Sequence, residues 1–486
     1  MKRLIIIAVI MIVVIFTGCA TVTVDEVGAE IVTLSETESV LSEESEHMSL
    51  EGYWEGALSI GGNPPLKLAF NVTQTDETYG ATLSIPQQGV TNLPIESVKY
   101  DVQTNEIAFN MTALAAVFAG TVVSDKQDSI VGIFSQSGME FPLTVVRMPE
   151  GQIRKAKMQE PVAPYPYISE DVTIIQTKEG FSLAGTVTRP KEPGRYPAVI
   201  LITGSGAQDR DETIMEHKPF LVIADALTRA GIVVLRYDDR GFAASEGNVS
   251  EATTLDFADD AESVFDYLKE QSYVNPDKIG IIGHSEGGLV AMIVASRNPD
   301  VSFIISMAGS GVDGISVLEA QTTALLLAQG APEAAIAQVV ALNLAIYNTV
   351  INENIPLETR KEEISAMLAS FGMDAQSIDA QKAVLFSTWY MTFLQLDPAP
   401  YLEQIDVPVL ILNGTKDTQV TSQLNVPAIE SALSKGGNTS YTTIVYEGFN
   451  HLFQQAQTGS VEEYGVIETT IEPIVLNDII SWILDL

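Results

Sequence analysis

The chain is expected to be an α/β protein: a mostly parallel sheet with helices on both faces and a helical insert, preceded by a small antiparallel β domain. Three observations predict this. From Val172 onward, short apolar strands alternate with amphipathic helical segments. Between about Ile315 and Pro400 that alternation stops, and an Ala-, Leu- and Gln-rich stretch keeps helical spacing with no strand signal. From about Leu50 to Met148 the runs are short, alternate apolar with polar, and are separated by turn formers such as Gly61-Gly62-Asn63-Pro64.

The size and chemistry of the chain are consistent with that plan. It has 486 residues, 46% of them hydrophobic and 18% charged. At about 150 residues per domain, roughly three domains are expected. With 63 acidic and 26 basic residues, the formal net charge is −37. Such a surface repels phosphate backbones, which excludes nucleic acid as a partner.

The N-terminus points out of the cytoplasm. Lys2 and Arg3 form a positive start, Leu4 to Phe16 is an unbroken apolar run, and Thr17-Gly18-Cys19 follows. The run is short of the ~20 residues that span a bilayer and fits the apolar core of a signal peptide. Cys19, the single cysteine, resembles the lipidated residue of a bacterial lipoprotein, with residues 1–19 as the signal and Cys19 as the new N-terminus. The expected location is the cell envelope, with the membrane as a partner through the lipid. Residues 20–49, rich in Thr, Ser, Glu and Val and lacking Trp, Tyr and Phe, read as a tether.

The elements follow in order. Residues 50–150 form the β-rich domain, in which Trp54 and Tyr53 fill the core or close its end. Residues 151–170 are a linker that includes the proline-rich run Gln159 to Tyr167. Residues 171–486 form the α/β domain. Val172 to Thr177 and Leu183 to Thr188 read as an antiparallel pair. Ala198–Ile202, Ile232–Leu235, Ile279–Ile282, Phe303–Ser306, Val407–Leu412 and Tyr441–Val445 are strands. Helices cover Phe220–Ala230, Phe257–Lys269, Leu289–Ser296 and the C-terminus. Continuous apolar strands between helices are buried on both faces. The insert, residues 315–400, lies where a lid over the strands' carboxyl ends is expected.

The chemistry centres on Gly283-His284-Ser285-Glu286-Gly287. The apolar strand Ile279-Gly280-Ile281-Ile282 precedes it and a helix of small apolar residues follows, the strand–turn–helix setting of a nucleophile elbow. There the serine backbone is held left-handed so that Oγ stands clear, and flanking residues must lack bulk. A serine hydroxyl needs a base beside it. Of four histidines, His47 lies in the tether, His217 precedes an early helix and His284 points away from Oγ. Only His451, in Glu447-Gly448-Phe449-Asn450-His451, comes after the serine. The orienting carboxylate is Asp417, at the end of the Val407–Leu412 strand; Asp406 lies at the opposite end of that strand. The oxyanion donors are the backbone N–H of Glu286 and, from the loop Thr203 to Asp211, that of Ser205. Asp238-Asp239 within Arg236 to Gly241 reads as a loop held by its own Arg–Asp pairs. No metal cluster, GxGxxG or Walker motif is present in the sequence.

Taken jointly, Thr203 to Glu212, His217 to Phe220, Arg236 to Gly241, Gly283 to Gly288 and the Asp417 and His451 segments resemble α/β-hydrolase esterases of the EstD-like type. These group with the dienelactone-hydrolase and serine-aminopeptidase-like branches. The resemblance covers about Val172 to Leu486, and the Gly52-Tyr-Trp-Glu-Gly56 opening is similar to the N-terminal domain of such esterases. It implies the α/β-hydrolase fold, hydrolysis of short-chain carboxylic esters by a serine esterase, a helical lid, and neither cofactor nor metal. Two other readings stay open. One is an aminopeptidase-like serine peptidase in which Glu286 or lid acids hold a free α-amine. The other is an envelope lipoprotein whose β-rich domain binds glycan or lipid while the hydrolase part is a relic.

Overall fold

A computed structural model describes residues 49–58, 66–75, 78–85, 90–111, 114, 116–123, 128–136, 139–148 and 157–486. The signal, Cys19 and the tether up to residue 48 lie outside these residues. The fold divides into two compact units, one ending at residue 155 and one running from 156 to 486.

The first unit is a nine-stranded antiparallel sheet: β1 (Gly52–Leu58), β2 (Leu66–Thr75), β3 (Thr78–Ile85), β4 (Val90–Ile95), β5 (Ser97–Asp101), β6 (Glu106–Met111), β7 (Ala116–Val123), β8 (Ser129–Gln136) and β9 (Met139–Arg147). Their order is β4-β3-β2-β1-β9-β8-β7-β6-β5. The two outermost strands are separated in sequence by Glu96 alone, so the sheet must curl until its edges adjoin, nearly a barrel. Alternation places Leu68, Phe70, Phe109 and Phe118 inside, with Phe70 and Phe109 rings 4.9 Å apart. Trp54 is buried among them. Its Nε1–H donates to the Leu50 carbonyl at 2.9 Å, and the Arg147 guanidinium covers its ring at 4.4 Å. The tryptophan is therefore a core residue, as its place in the sequence suggested.

The second unit holds an eight-stranded sheet: β10 (Ile168–Ile175), β11 (Ser182–Arg189), β12 (Tyr196–Ile202), β13 (Val233–Tyr237), β14 (Val274–His284), β15 (Phe303–Met307), β16 (Val409–Gly414) and β17 (Tyr441–Tyr446). The order is β10-β11-β13-β12-β14-β15-β16-β17. β10 and β11 pair antiparallel and join β13 antiparallel; every later pairing is parallel.

Period-two alternation explains the layers. Val199 and Leu201 face one side, against helices α1 (Pro219–Arg229) and α11 (Pro473–Asp485) through Phe220, Ile223, Val475 and Ile479. Ala198, Ile200 and Ile202 face the other, against α2 (Thr254–Lys269), α3 (Glu286–Arg297) and α10 (Ser422–Gly436). Burial on both faces is why these strands carry no polar alternation. The stretch before β10 is fastened to the same unit. Lys157 Nζ donates to the Ile467 carbonyl at 3.0 Å, and the Gln159 amide bonds the Thr470 N–H and the Ile471 carbonyl.

Two features position a site. β12 is flanked by β13 on one side and β14 on the other, so the chain reverses direction across the sheet there. The loops after β12 and β14 border that switch point at the strands' carboxyl ends. Between β15 and β16 lies the insert: α4 (Gly314–Ala328), α5 (Glu333–Ile351), α6 (Leu357–Ser370), α7 (Ala375–Leu385), α8 (Thr388–Gln395) and α9 (Ala399–Leu402). It has its own core of Leu318, Val339, Tyr347, Ile364, Tyr390 and Phe393. α5 is long and apolar enough to cross a membrane, and its Ile336, Val339, Ile346 and Val350 face that core.

Candidate active site

The turn between β14 and α3 is built around Ser285. Its φ of 55° and ψ of −118° lie where L residues rarely go. Its N–H donates to the Met307 carbonyl of β15 at 2.9 Å, which anchors the turn to the next strand. The flanking glycines are required by contact. A Cβ at 283 would sit 1.9 Å from the Gly287 carbonyl oxygen, and one at 287 would sit 2.1 Å from that of Ile202. Strand, turn and helix therefore touch backbone to backbone. The loop after β12 passes over the serine: a Cβ at Gly204 would meet Ser285 Cβ at 3.2 Å.

Asp417 lies three residues beyond β16 and is 3% exposed. Its Oδ1 accepts the N–H groups of Gln419 at 2.8 Å and Val420 at 2.9 Å. Its Oδ2 receives His451 Nδ1 at 2.8 Å. With Nδ1 donating, the lone pair of His451 is on Nε2. The His451 ring packs 4.6 Å from that of His284, the residue before Ser285. The carboxylate and imidazole named from sequence are bonded to each other, and the imidazole packs against His284, the residue before the named serine. Asp406 is exposed, before β16, and takes no part.

At the oxyanion position, the Gly204 N–H is already used, donating to Glu212 Oε1 at 3.0 Å. Neither the Ser205 N–H nor the Glu286 N–H donates to a protein acceptor among the described residues. The loop is held in place by Asp239. This half-buried carboxyl accepts from Thr203 Oγ1 at 2.9 Å and Gln208 N–H at 2.8 Å, and its own N–H donates to the Gln208 carbonyl. Burial pushes its pKa well above the usual carboxylate range. Asp238 receives a two-pronged bond from Arg210 at 2.9 and 2.7 Å, Arg236 pairs with Asp211, and Arg240 pairs with buried Asp260. The Asp238-Asp239 segment is therefore held by Arg–Asp pairs to other segments, not by its own pairs as the sequence suggested.

Residues 216–455 match the serine aminopeptidase family S33. The chain is 23% identical to Esterase EstD of Thermotoga maritima over 440 residues, covering 90% of this chain and 93% of that one. It is 26% identical over 167 residues to the 2,6-dihydropseudooxynicotine hydrolase of Paenarthrobacter nicotinovorans, covering 34% and 41% of the two chains. Among solved structures, the Pyrococcus furiosus esterase Pf2001 is similar with a TM-score of 0.42 and 17% identity, over 66% of this chain and 91% of that one.

The chain has the α/β-hydrolase fold.

Within this fold, Glu286 is more than the residue after the serine. It is buried, and its Oε1 accepts from Thr254 Oγ1 at 2.6 Å and from Trp389 Nε1 of the insert at 2.9 Å. The Ser205 hydroxyl lies near this carboxyl without closing a hydrogen bond. Burial raises the pKa of this carboxyl, and the hydroxyl and indole donors offset only part of that. Beside it, a cavity with room for about one water molecule is lined by Gly204, Asp239, Phe257 and Glu286, among others.

Three residues have no site role in the sequence reading: Trp389, Glu212 and its partner His284. No local spacing marks them, because their partners are 103 and 72 residues away. His217 is structural: Nδ1 meets Thr470 Oγ1 at 3.0 Å and Nε2 the Tyr464 carbonyl at 2.8 Å. Among the described residues no group of three His, Cys, Asp or Glu could hold a metal ion.

Proposed function

We propose that this hydrolase is a serine carboxylesterase that cleaves short-chain esters through an acyl-enzyme. The supporting observation is the Asp417–His451 bond of 2.8 Å beside a serine held at φ 55°. Relatedness to Esterase EstD over nine-tenths of both chains supports an ester substrate.

In this reading Ser285 Oγ attacks the ester carbonyl and passes its proton to His451 Nε2. Asp417 keeps Nδ1 protonated and stabilises the imidazolium that forms. The Ser205 and Glu286 N–H groups bind the oxyanion. Collapse expels the alkoxide, which takes the proton from His451. Water then gives a proton to His451 and attacks the acyl-serine, releasing the acid and returning the proton to Oγ. A short-chain chromogenic ester assay with wild type and Ser285→Ala tests this. A loss of roughly 10⁴-fold or more is expected, and equal turnover rejects it.

The aminopeptidase alternative asks a carboxylate to hold an α-ammonium group. Glu286 suits that task poorly, since burial favours its neutral form and two donors occupy its Oε1. Faster release of an N-terminal residue from aminoacyl amides than of alcohol from simple esters would reverse this preference.

The proposal also places the enzyme in the cell envelope, anchored by a lipid on Cys19. The supporting observation is the order of Lys2-Arg3, the apolar run Leu4–Phe16 and Thr17-Gly18-Cys19.

A further inference from the structure

Behind the Asp417–His451 pair lies a second carboxylate–imidazole pair. Glu212 is 1% exposed and His284 4% exposed, and Glu212 Oε1 meets His284 Nδ1 at 2.8 Å. The same Oε1 accepts the Gly204 N–H, from the loop that passes over the serine. The other ring nitrogen of His284, Nε2, meets the backbone carbonyl of His451 at 3.0 Å. His284 itself immediately precedes Ser285. One pair of side chains therefore touches all three segments of the site: oxyanion loop, serine turn and base loop. Glu212 reaches this position from a left-handed backbone, φ 54°, a conformation that persists only where its surroundings enforce it.

The geometry bears on the protonation. His284 Nε2 faces a backbone carbonyl and so carries hydrogen. With Glu212 ionised, Nδ1 donates to Oε1 as well, and the ring is an imidazolium. The groups around it agree. Glu212 is bonded to it, Asp417 lies close enough to favour the charge, and the neighbouring titratable ring is His451 at 4.6 Å. The remaining surroundings, Ile223, Met307, Leu452, Phe453 and Ile471, are apolar. Burial opposes the charge on the ring, but Glu212, the His451 carbonyl and Asp417 together outweigh it, and the pKa lies above the ordinary imidazole value.

We propose that Glu212 and His284 form a buried ion pair that positions the reaction centre, locking the oxyanion loop, the serine turn and the base loop to one another without exchanging a proton with substrate. The inference rests on the serine-hydrolase reading of Ser285. Its residues are positioning residues: they act through Gly204, Ser285 and His451. A neutral or missing partner frees one of the bonds, and the three segments lose their common fastening. Outer partners of this kind typically contribute 10- to 100-fold to activity.

The test uses the full chain in detergent with ¹⁵N-labelled histidine. Four histidines give four imidazoles, assigned by comparison with single His→Gln variants. Both ring nitrogens of His284 are expected to carry hydrogen at pH 6.5 and to lose one only above the ordinary imidazole value; a neutral His284 ring at pH 6.5 overturns the ion pair. In parallel, Glu212→Gln and His284→Gln are expected to lower kcat on a chromogenic ester about 10- to 100-fold with KM changed less than about threefold. Both variants within twofold of wild-type kcat would overturn the positioning role. If a variant fails to fold, the wild-type resonances still decide. The two proposals separate cleanly: a Ser285→Ala variant as active as wild type defeats the underlying reading, whereas an inactive Ser285→Ala beside fully active Glu212→Gln defeats this inference alone.

Discussion

The indole of Trp389 donates to Glu286 Oε1 across 2.9 Å, so the helical insert is bonded directly to the residue that follows Ser285. The Glu286 N–H is a proposed oxyanion donor. Whatever moves α8 is thus felt at the site within one side chain.

Trp389→Phe keeps an aromatic ring stacked near Phe393, now 5.3 Å from it, and removes the N–H. Loss of one hydrogen bond is worth about 1 kcal/mol. If that is felt at the oxyanion amide, kcat falls about fivefold, and the melting temperature drops by only a few degrees. Steady-state kinetics and a thermal melt check both values.

Gly287→Ala places a methyl group 2.1 Å from the Ile202 carbonyl oxygen, which is backbone and cannot swing away. Strand β12 and helix α3 must separate. A destabilisation of about 3 kcal/mol or more is expected, with activity lost along with the fold. Denaturant unfolding measures it. An alanine at Gly231 or Gly437 meets nothing within 4 Å and isolates the effect of positive φ alone.

Glu286 makes stability depend on pH. Burial raises its folded-state pKa above the ordinary 4.5. Such a group favours the folded state fully below about 4.5, and that contribution is lost as pH rises through the folded value. Glu286→Gln keeps an oxygen for Thr254 and Trp389 and cannot ionise. Its melting temperature is expected to gain on wild type as pH climbs from 4.5 toward 8. A difference that is flat or shrinks over that range contradicts the assignment.

Cys19→Ser is expected to abolish incorporation of a labelled fatty acid and to release the protein from the membrane fraction of a bacterial host. Single acyl chains bind membranes weakly, so several chains on one cysteine are needed for firm retention. Unchanged membrane association in the variant argues for an uncleaved apolar segment as the anchor.

Much of this site is legible from sequence because its logic is local or ordered. Ile281, Ile282 and Gly283 announce a buried strand running into a tight turn, and only His451 follows Ser285 in the chain. Asp417 sits just past a strand end, where switch-point ligands gather. The sheet's two faces follow from alternation in Val199, Ile200 and Leu201. The insert, expected over 315–400, runs from Gly314 to Leu402. What escaped was non-local. Glu212 and His284 meet across 72 residues, and no periodicity records which buried carboxylate a histidine will find. Trp389 was one aromatic in a helical run until packing turned its N–H toward Glu286. The near-closure of the β-rich unit depends on β4 and β5 lying on either side of Glu96, which short alternating runs do not reveal.

Intact-mass analysis after exposure to a fluorophosphonate probe addresses the nucleophile itself. The expected result is one adduct per chain, located on Ser285 by peptide mapping and absent from Ser285→Ala. A wild-type protein that stays unmodified, or an adduct that survives in Ser285→Ala, contradicts the assignment of this serine as the attacking group.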